Sequence, residues 1–154
     1  MAEQFDIAAW RHHRVAETLE ILAELDDAGY HFGVCGENAV KYALWAAGVQ
    51  AAWIRAGAAV GKSPAQSLKR TPMRGHFPTL KSLINKTRAE ISIYATGRHA
   101  APIAAMVLDP SFAGRFADWH IDIRYADAAH TPVSALKCAT WHRDADDFVL
   151  ALLL

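Results

Sequence analysis

In the run Arg124-Tyr125-Ala126-Asp127-Ala128-Ala129-His130 a guanidinium and an imidazole stand close in sequence, just ahead of the last helix-like segment. Arg keeps its charge and can fork onto two phosphate oxygens, while His titrates near neutral pH and can move a proton. Held on one phosphate, the pair supplies what phosphodiester cleavage requires: a group that transfers a proton and a group that holds the developing charge. A connector loop can also contain these residues with no chemical role. Tyr125, beside Arg124, and His142, in the final helical segment, are accessory candidates.

The charge distribution supplies a second set of candidates. Net charge is zero, yet no acidic residue occurs between Glu37 and Glu90, where Lys41, Arg55, Lys62, Lys69, Arg70, Arg74, Lys81, Lys86 and Arg88 all fall. Acids gather towards the two ends, from Glu17 to Asp27 and from Asp118 to Asp147. Two readings follow: the basic middle pairs with the acidic flanks inside the fold, or it forms a cationic surface that attracts polyanions. On the second reading Lys69, Arg70, Arg74 and His76 are the expected RNA- or nucleotide-binding residues.

Positioning these groups falls to helices. A chain of 154 residues, 53% of them hydrophobic, is expected to form one domain over residues 1–154. Phe5, Ala8, His12, Val15, Leu19, Leu22 and Leu25 recur at helical spacing, predicting a first helix over residues 3–28 with Gly29 as its stop. A second, nearly all-apolar helix is predicted from Tyr30 to residues 54–56, with Glu37, Asn38 and Lys41 as a narrow polar strip. Gly57, Gly61, Pro64, Pro72, Gly75 and Pro78 predict a basic loop that could hold a short turn. A third helix is predicted over 78–96, short apolar helices over 101–108 and 111–118, and irregular or extended chain over 119–125. Thr131-Pro132 offers a cap and first-turn proline for a last helix, along which Ala135, Cys138, His142, Ala145, Val149 and Leu152 form a regular seam.

Other motifs carry less. Gly61-Lys62-Ser63 lacks both the glycine spacing and the preceding strand of a phosphate-binding loop. Cys35 and Cys138 lack paired spacing and read as buried thiols, so no disulfide, structural metal or cofactor is expected. His142 reads either as a satisfied core histidine or as an imidazole facing a symmetry mate. The N-terminus lacks the features of a signal peptide and no uncharged run reaches spanning length, so a cytoplasmic location without membrane association is expected.

Three segments together resemble the HEPN (higher eukaryotes and prokaryotes nucleotide-binding) family. Tyr30 to Leu44, with Glu37-Asn38-Ala39-Val40-Lys41 at its centre, is similar to that family's second helix. His76-Phe77-Pro78-Thr79-Leu80-Lys81-Ser82-Leu83 is similar to the histidine and spaced leucines that open its third. Ile123 to Asp127 is similar to its loop before the terminal helix. The resemblance implies an all-α antiparallel bundle of four to five helices that homodimerises. It also implies either a metal-independent endoribonuclease of a toxin-antitoxin or defence system, with Arg124 and His130 catalytic, or a noncatalytic subunit. The noncatalytic form would pair with a nucleotidyltransferase-type or antitoxin partner, and Arg124-Tyr125 would only dock the loop.

Overall fold

The computed structural model describes residues 4–125 and 131–154, and His130 therefore lies outside the described residues. Those residues are helical, with eight α-helices and no strand among them. Three helices are long: α1 (Phe5–Ile21), α2 (Leu25–Ala46) and α8 (Ala135–Leu152). The short ones are α3 (Val49–Ala58), α4 (Pro64–Leu68), α5 (Thr79–Lys86), α6 (Arg88–Tyr94) and α7 (Ala100–Pro102), the last continuing into a π turn over Ile103–Val107. Single 3-10 turns occupy Pro72–Arg74, Gly97–His99, Pro110–Gly114 and Ile121–Tyr125.

The expected four to five helices become eight because the chain breaks where local chemistry permits. The first helix stops at Ile21, not at Gly29, because Ala23 takes a left-handed conformation at φ 62° and reverses the chain. Asp26 and Asp27 then occupy the first turn of α2, where carboxylates complement the helix dipole. Gly29 lies inside α2. The predicted second helix divides at Gly48, whose φ of 79° ends α2 before α3 begins. Thr96 ties down that corner, its N–H and hydroxyl both donating to the Ala47 carbonyl at 3.0 and 3.1 Å. The predicted third helix divides at Thr87, and the breaker-rich loop contains α4, started by a reciprocal capping box between Ser63 and Gln66. Of the chain expected to be irregular or extended over 119–125, Trp119 and His120 take no regular element, while Ile121–Tyr125 is a 3-10 turn.

The last helix begins at Ala135 instead of Pro132. Val133 gives its N–H to the Asp26 carboxylate at 2.6 Å, which holds it against α2 and out of a helical ladder. Ser134 then caps the helix by accepting the Lys137 N–H at 3.2 Å.

The three long helices share one core. α1 packs antiparallel to α2, as its short connection requires. α8 runs antiparallel to α1, because Glu20 meets His142 while His13 meets Asp146. It runs parallel to α2, since Trp141 packs at Gly29 and His142 on Phe32. The buried face of α1 is Ala9, His13 and Ala16, one residue out of step with the predicted stripe, and Val15 and Leu22 are exposed. On α8 the predicted seam holds at Cys138, Ala145, Val149 and Leu152, joined by Trp141, Asp144 and Phe148.

One face of α2 is notched by glycines that admit aromatic rings from the rest of the chain. A Cβ at Gly36 would lie 2.5 Å from the Phe116 ring, and one at Gly29 would lie 2.8 Å from Trp141. A Cβ at Gly33 would overlap the Trp119 indole outright. Trp119 is locked there by donating Nε1–H to the Gly29 carbonyl at 2.8 Å. Its ring also stacks beside Tyr30 with centroids 6.4 Å apart, so this notch fixes where the following turn, with Arg124, leaves the core.

Candidate functional site

Arg124 ends the Ile121–Tyr125 turn and is exposed. Its Nη1 donates to the Tyr30 hydroxyl at 3.3 Å. The guanidinium lies 4.4 Å from the Tyr125 ring centroid and 5.7 Å from that of Tyr30, a cation held between two aromatic faces. Tyr125 is 66% exposed, so one side of this arrangement faces solvent. Arg124 also lines a cleft of about 430 Å³ with Glu24, Asp26 and Asp27, and these carboxylates oppose the approach of a phosphate.

The candidate cations of the middle region lie elsewhere. Lys69, Arg70 and Arg74 are exposed, and none has a carboxylate within ion-pair distance among the described residues. The acidic flanks are engaged with other groups. Asp144 and Asp147 both hold Arg115, at 2.8 and 2.6 Å, while Asp118 meets Lys137 and Asp146 meets His13. Lys81 donates to the Ala113 and Phe116 carbonyls and Arg88 to that of Leu108, so these two cations brace the shell. Internal pairing between the basic middle and the acidic ends is therefore not how the described charges at Lys69, Arg70 and Arg74 are used.

Arg74 instead shares a cleft of about 280 Å³ with Phe5, Trp45, Gln50, Ile54, Pro64 and Leu68. Trp45 is 53% exposed and presents ring surface beside a guanidinium and a carboxamide. That set suits a nucleobase, which stacks on aromatic faces and hydrogen-bonds along its edge. The cleft stands at the C-terminal end of α2, whereas Arg124 sits against Tyr30 near its N-terminal end. At about 1.5 Å per residue the two lie roughly 22 Å apart along the helix. Arg124 is thus not at the floor of the basic region within one protomer.

His76 differs from its cationic neighbours. Its Nδ1 lies 2.8 Å from Oε2 of Glu37, a carboxylate only 2% exposed. The other Glu37 oxygen accepts the Phe77 N–H at 2.6 Å. Burial pushes the Glu37 carboxyl up, opposed by His76, by the charge of Lys41 and by the Phe77 N–H. Glu37 and Lys41, expected on a wet strip, are both buried, and Glu37 anchors the His76 segment to α2. The outer edge of His76 remains exposed.

His142 belongs to neither group. It is stacked on Phe32 with centroids 4.5 Å apart, and its Nδ1 lies 2.7 Å from Oε2 of Glu20. His13 and Asp146 complete this cluster between α1 and α8. No hydrogen bond among the described residues joins His142 to Arg124. Sequence reasoning also missed the contact between His12 and His31, whose Nδ1 atoms are 2.7 Å apart. Burial, and then the charges of His31 and Arg11, drive His12 down to about 4, and burial lowers His31 as well, so this pair shares a hydrogen bond as neutral rings. Their spacing in sequence carries no signal, because the pairing is created by the antiparallel turn between α1 and α2.

Both cysteines are free and buried, as their apolar setting suggested. No helix among the described residues is long and apolar enough to cross a membrane. Comparison of the chain with protein-family models, with curated proteins and with solved structures gives no match.

Proposed function

We propose that this protein binds RNA or a nucleotide through its basic central region, as a HEPN-like cytoplasmic helical domain, with Lys69, Arg70 and Arg74 on phosphates and Trp45 under a base. The observation that carries the reading is the exposed, carboxylate-free cation group beside the Trp45 cleft. His76 flanks this surface from its anchor on Glu37 and contributes its exposed edge. Phosphate contacts release counterions, so binding must weaken as salt rises. Three contacts give a slope of about −2 in log K against log salt for a single strand. Titration of single-stranded RNA at several salt concentrations tests this. Combined Lys69→Ala, Arg70→Ala and Arg74→Ala substitution should remove most of the slope. Unchanged binding in that variant, or none in the unsubstituted protein, refutes the proposal.

The sharper form assigns Arg124 and His130 to metal-independent RNA cleavage, in which His130 moves the proton and Arg124 holds the charge on the phosphorus oxygens. Its support is the exposed guanidinium of Arg124. The expected outcome is cleavage that persists in chelator, leaves a cyclic phosphate and is abolished by Arg124→Ala and by His130→Ala. A second reading, the noncatalytic subunit that pairs with a nucleotidyltransferase-type or antitoxin partner, is favoured by the three acids around Arg124 and by its Tyr30 and Tyr125 contacts. RNA binding without cleavage, together with a stable complex with such a partner, would select it. Homodimerisation belongs to both readings and is checked by sedimentation.

A further inference from the structure

The cluster between α1 and α8 has an organisation that a core histidine does not require. Oδ1 of Asp146 faces Nε2 of His13 at 2.6 Å and Nε2 of His142 at 3.6 Å. These three donor atoms lie within 4.8 Å of one another. The far nitrogen of each ring is backed by its own carboxylate from α1: Glu17 lies 3.4 Å from Nδ1 of His13, and Glu20 lies 2.7 Å from Nδ1 of His142. The His13 side chain is 9% exposed, that of His142 28% and that of Asp146 52%. The cluster is therefore walled on one side by the helices and open on the other.

Three carboxylates surround the two rings. Glu20 Oε2 stands 2.7 Å from Nδ1 of His142 and Asp146 Oδ1 stands 3.6 Å from its Nε2, so both nitrogens of that ring face a carboxylate. A cation at the convergent Nε2 atoms would have Asp146 Oδ1 as its third donor. Backing an imidazole with a carboxylate is also how metal-binding histidines are held in one tautomer and made more basic. Here a carboxylate stands beside the far nitrogen of each of two rings whose opposite nitrogens converge on one oxygen.

The geometry points to a divalent transition-metal site whose ligands are Nε2 of His13, Nε2 of His142 and a carboxylate oxygen of Asp146, with Glu17 and Glu20 orienting the rings. Two imidazoles and one carboxylate suit zinc, cobalt or ferrous ions rather than magnesium or calcium. A tetrahedral ion with bonds of about 2.1 Å needs its donors about 3.4 Å apart. The 3.6 Å between His142 and Asp146 meets this already, Asp146 has to move from His13 by less than about 1 Å, and the two ring nitrogens, within 4.8 Å, have to close to the same spacing. Three protein ligands leave a fourth position open towards solvent, the form of a site that carries a water or a substrate oxygen. The proposal departs from the expectation, drawn from ligand spacing, that the chain holds no metal. His13 and His142 stand on different helices, where no spacing motif could show them together. The proposal is independent of RNA binding and of Arg124.

Metal-free protein, prepared with chelator and kept reduced, is titrated with cobalt(II) and zinc(II) chloride by calorimetry, by the cobalt absorption spectrum and by thermal unfolding. One ion per chain is expected, without a thiolate-to-cobalt absorption band and with a Tm that rises with metal concentration. Asp146→Asn and His142→Gln should each weaken binding at least tenfold. Glu20→Gln should weaken it about tenfold or more through ring orientation, and His120→Ala, an exposed imidazole outside the cluster, should leave it unchanged. Asp146 is half exposed, so its variant decides the question even where His142→Gln does not fold. No saturable binding, affinity unaltered in Asp146→Asn, or a thiolate band overturns the proposal.

Discussion

Replacing Gly33 with alanine tests the packing that sets the position of Arg124. In an isolated helix the change is favourable by about 1 kcal/mol, because alanine loses less backbone freedom. Here the added methyl would fall within the Trp119 indole, which is only 2% exposed and cannot swing into solvent without opening the core. Forcing a methyl into a filled core costs about 1–3 kcal/mol. Moving the ring also breaks its 2.8 Å hydrogen bond to the Gly29 carbonyl, worth about 1 kcal/mol. The balance is a destabilisation of about 1–3 kcal/mol, or a Tm lower by roughly 2–12 °C for a chain of this size. Urea and thermal unfolding followed by tryptophan fluorescence and near-UV circular dichroism would measure it. Gly114→Ala, where a methyl meets nothing within 4 Å, is the matched control and should stay within about 0.5 kcal/mol. A Gly33→Ala protein as stable as the parent, or more stable, would refute the packing argument and with it the account of how the Ile121–Tyr125 turn is held.

Four further outcomes are expected. With its folded pKa raised, Glu37 holds its proton more firmly folded than unfolded; stability should therefore fall as pH rises from about 4.3 through the folded value. Glu37→Gln should flatten that part of the profile in urea melts. Arg115→Ala strips Asp144 of its cation and leaves a carboxylate, 6% exposed, with the Phe116 N–H at 2.7 Å, so chemical unfolding should register a loss of roughly 1–3 kcal/mol. Burial pushes Cys35 and Cys138 up to about 12, which leaves roughly one thiol in ten thousand ionised at pH 8. A disulfide reagent should label neither in the native protein and both once it is unfolded; fast native labelling would contradict the burial. Trp45→Ala should weaken single-stranded RNA binding by about 1–3 kcal/mol with little change in salt slope, since it removes stacking and no charge.

The helical class and the last seam were legible because hydrophobic period is a local property. Cys138, Ala145, Val149 and Leu152 face the core as their spacing requires. Breaks were less legible. Gly29 resembles a helix stop, yet it is needed inside α2 by Trp141, which is distant in sequence, while the true reversal falls at Ala23, a residue that carries no turn signal. The α1 stripe slipped by one residue because the buried face there uses Ala9, Ala16 and a paired histidine instead of the larger apolar side chains. For the candidate site, the exposed cations at Lys69, Arg70 and Arg74 followed from composition alone. The burial of Glu37 under His76, the cleft joining Trp45 to Arg74 and the convergence of His13 with His142 are products of tertiary packing, and no spacing rule reaches them. The proposed partner of Arg124, His130, lies outside the described residues.

The direct pairing of α1 with α8 has a consequence for how the chain is made. Synthesis delivers α1 and α2 early, but α8, which packs on α2 and meets α1 at His13 and Glu20, emerges only after the whole intervening shell. Until then the hairpin presents an unfinished apolar groove, and contacts of such long sequence separation are slow to close. Ribosome-bound chains halted before Ala135 should therefore be sensitive to protease along α1 and α2, and release of the α8 segment should be the moment at which that sensitivity disappears.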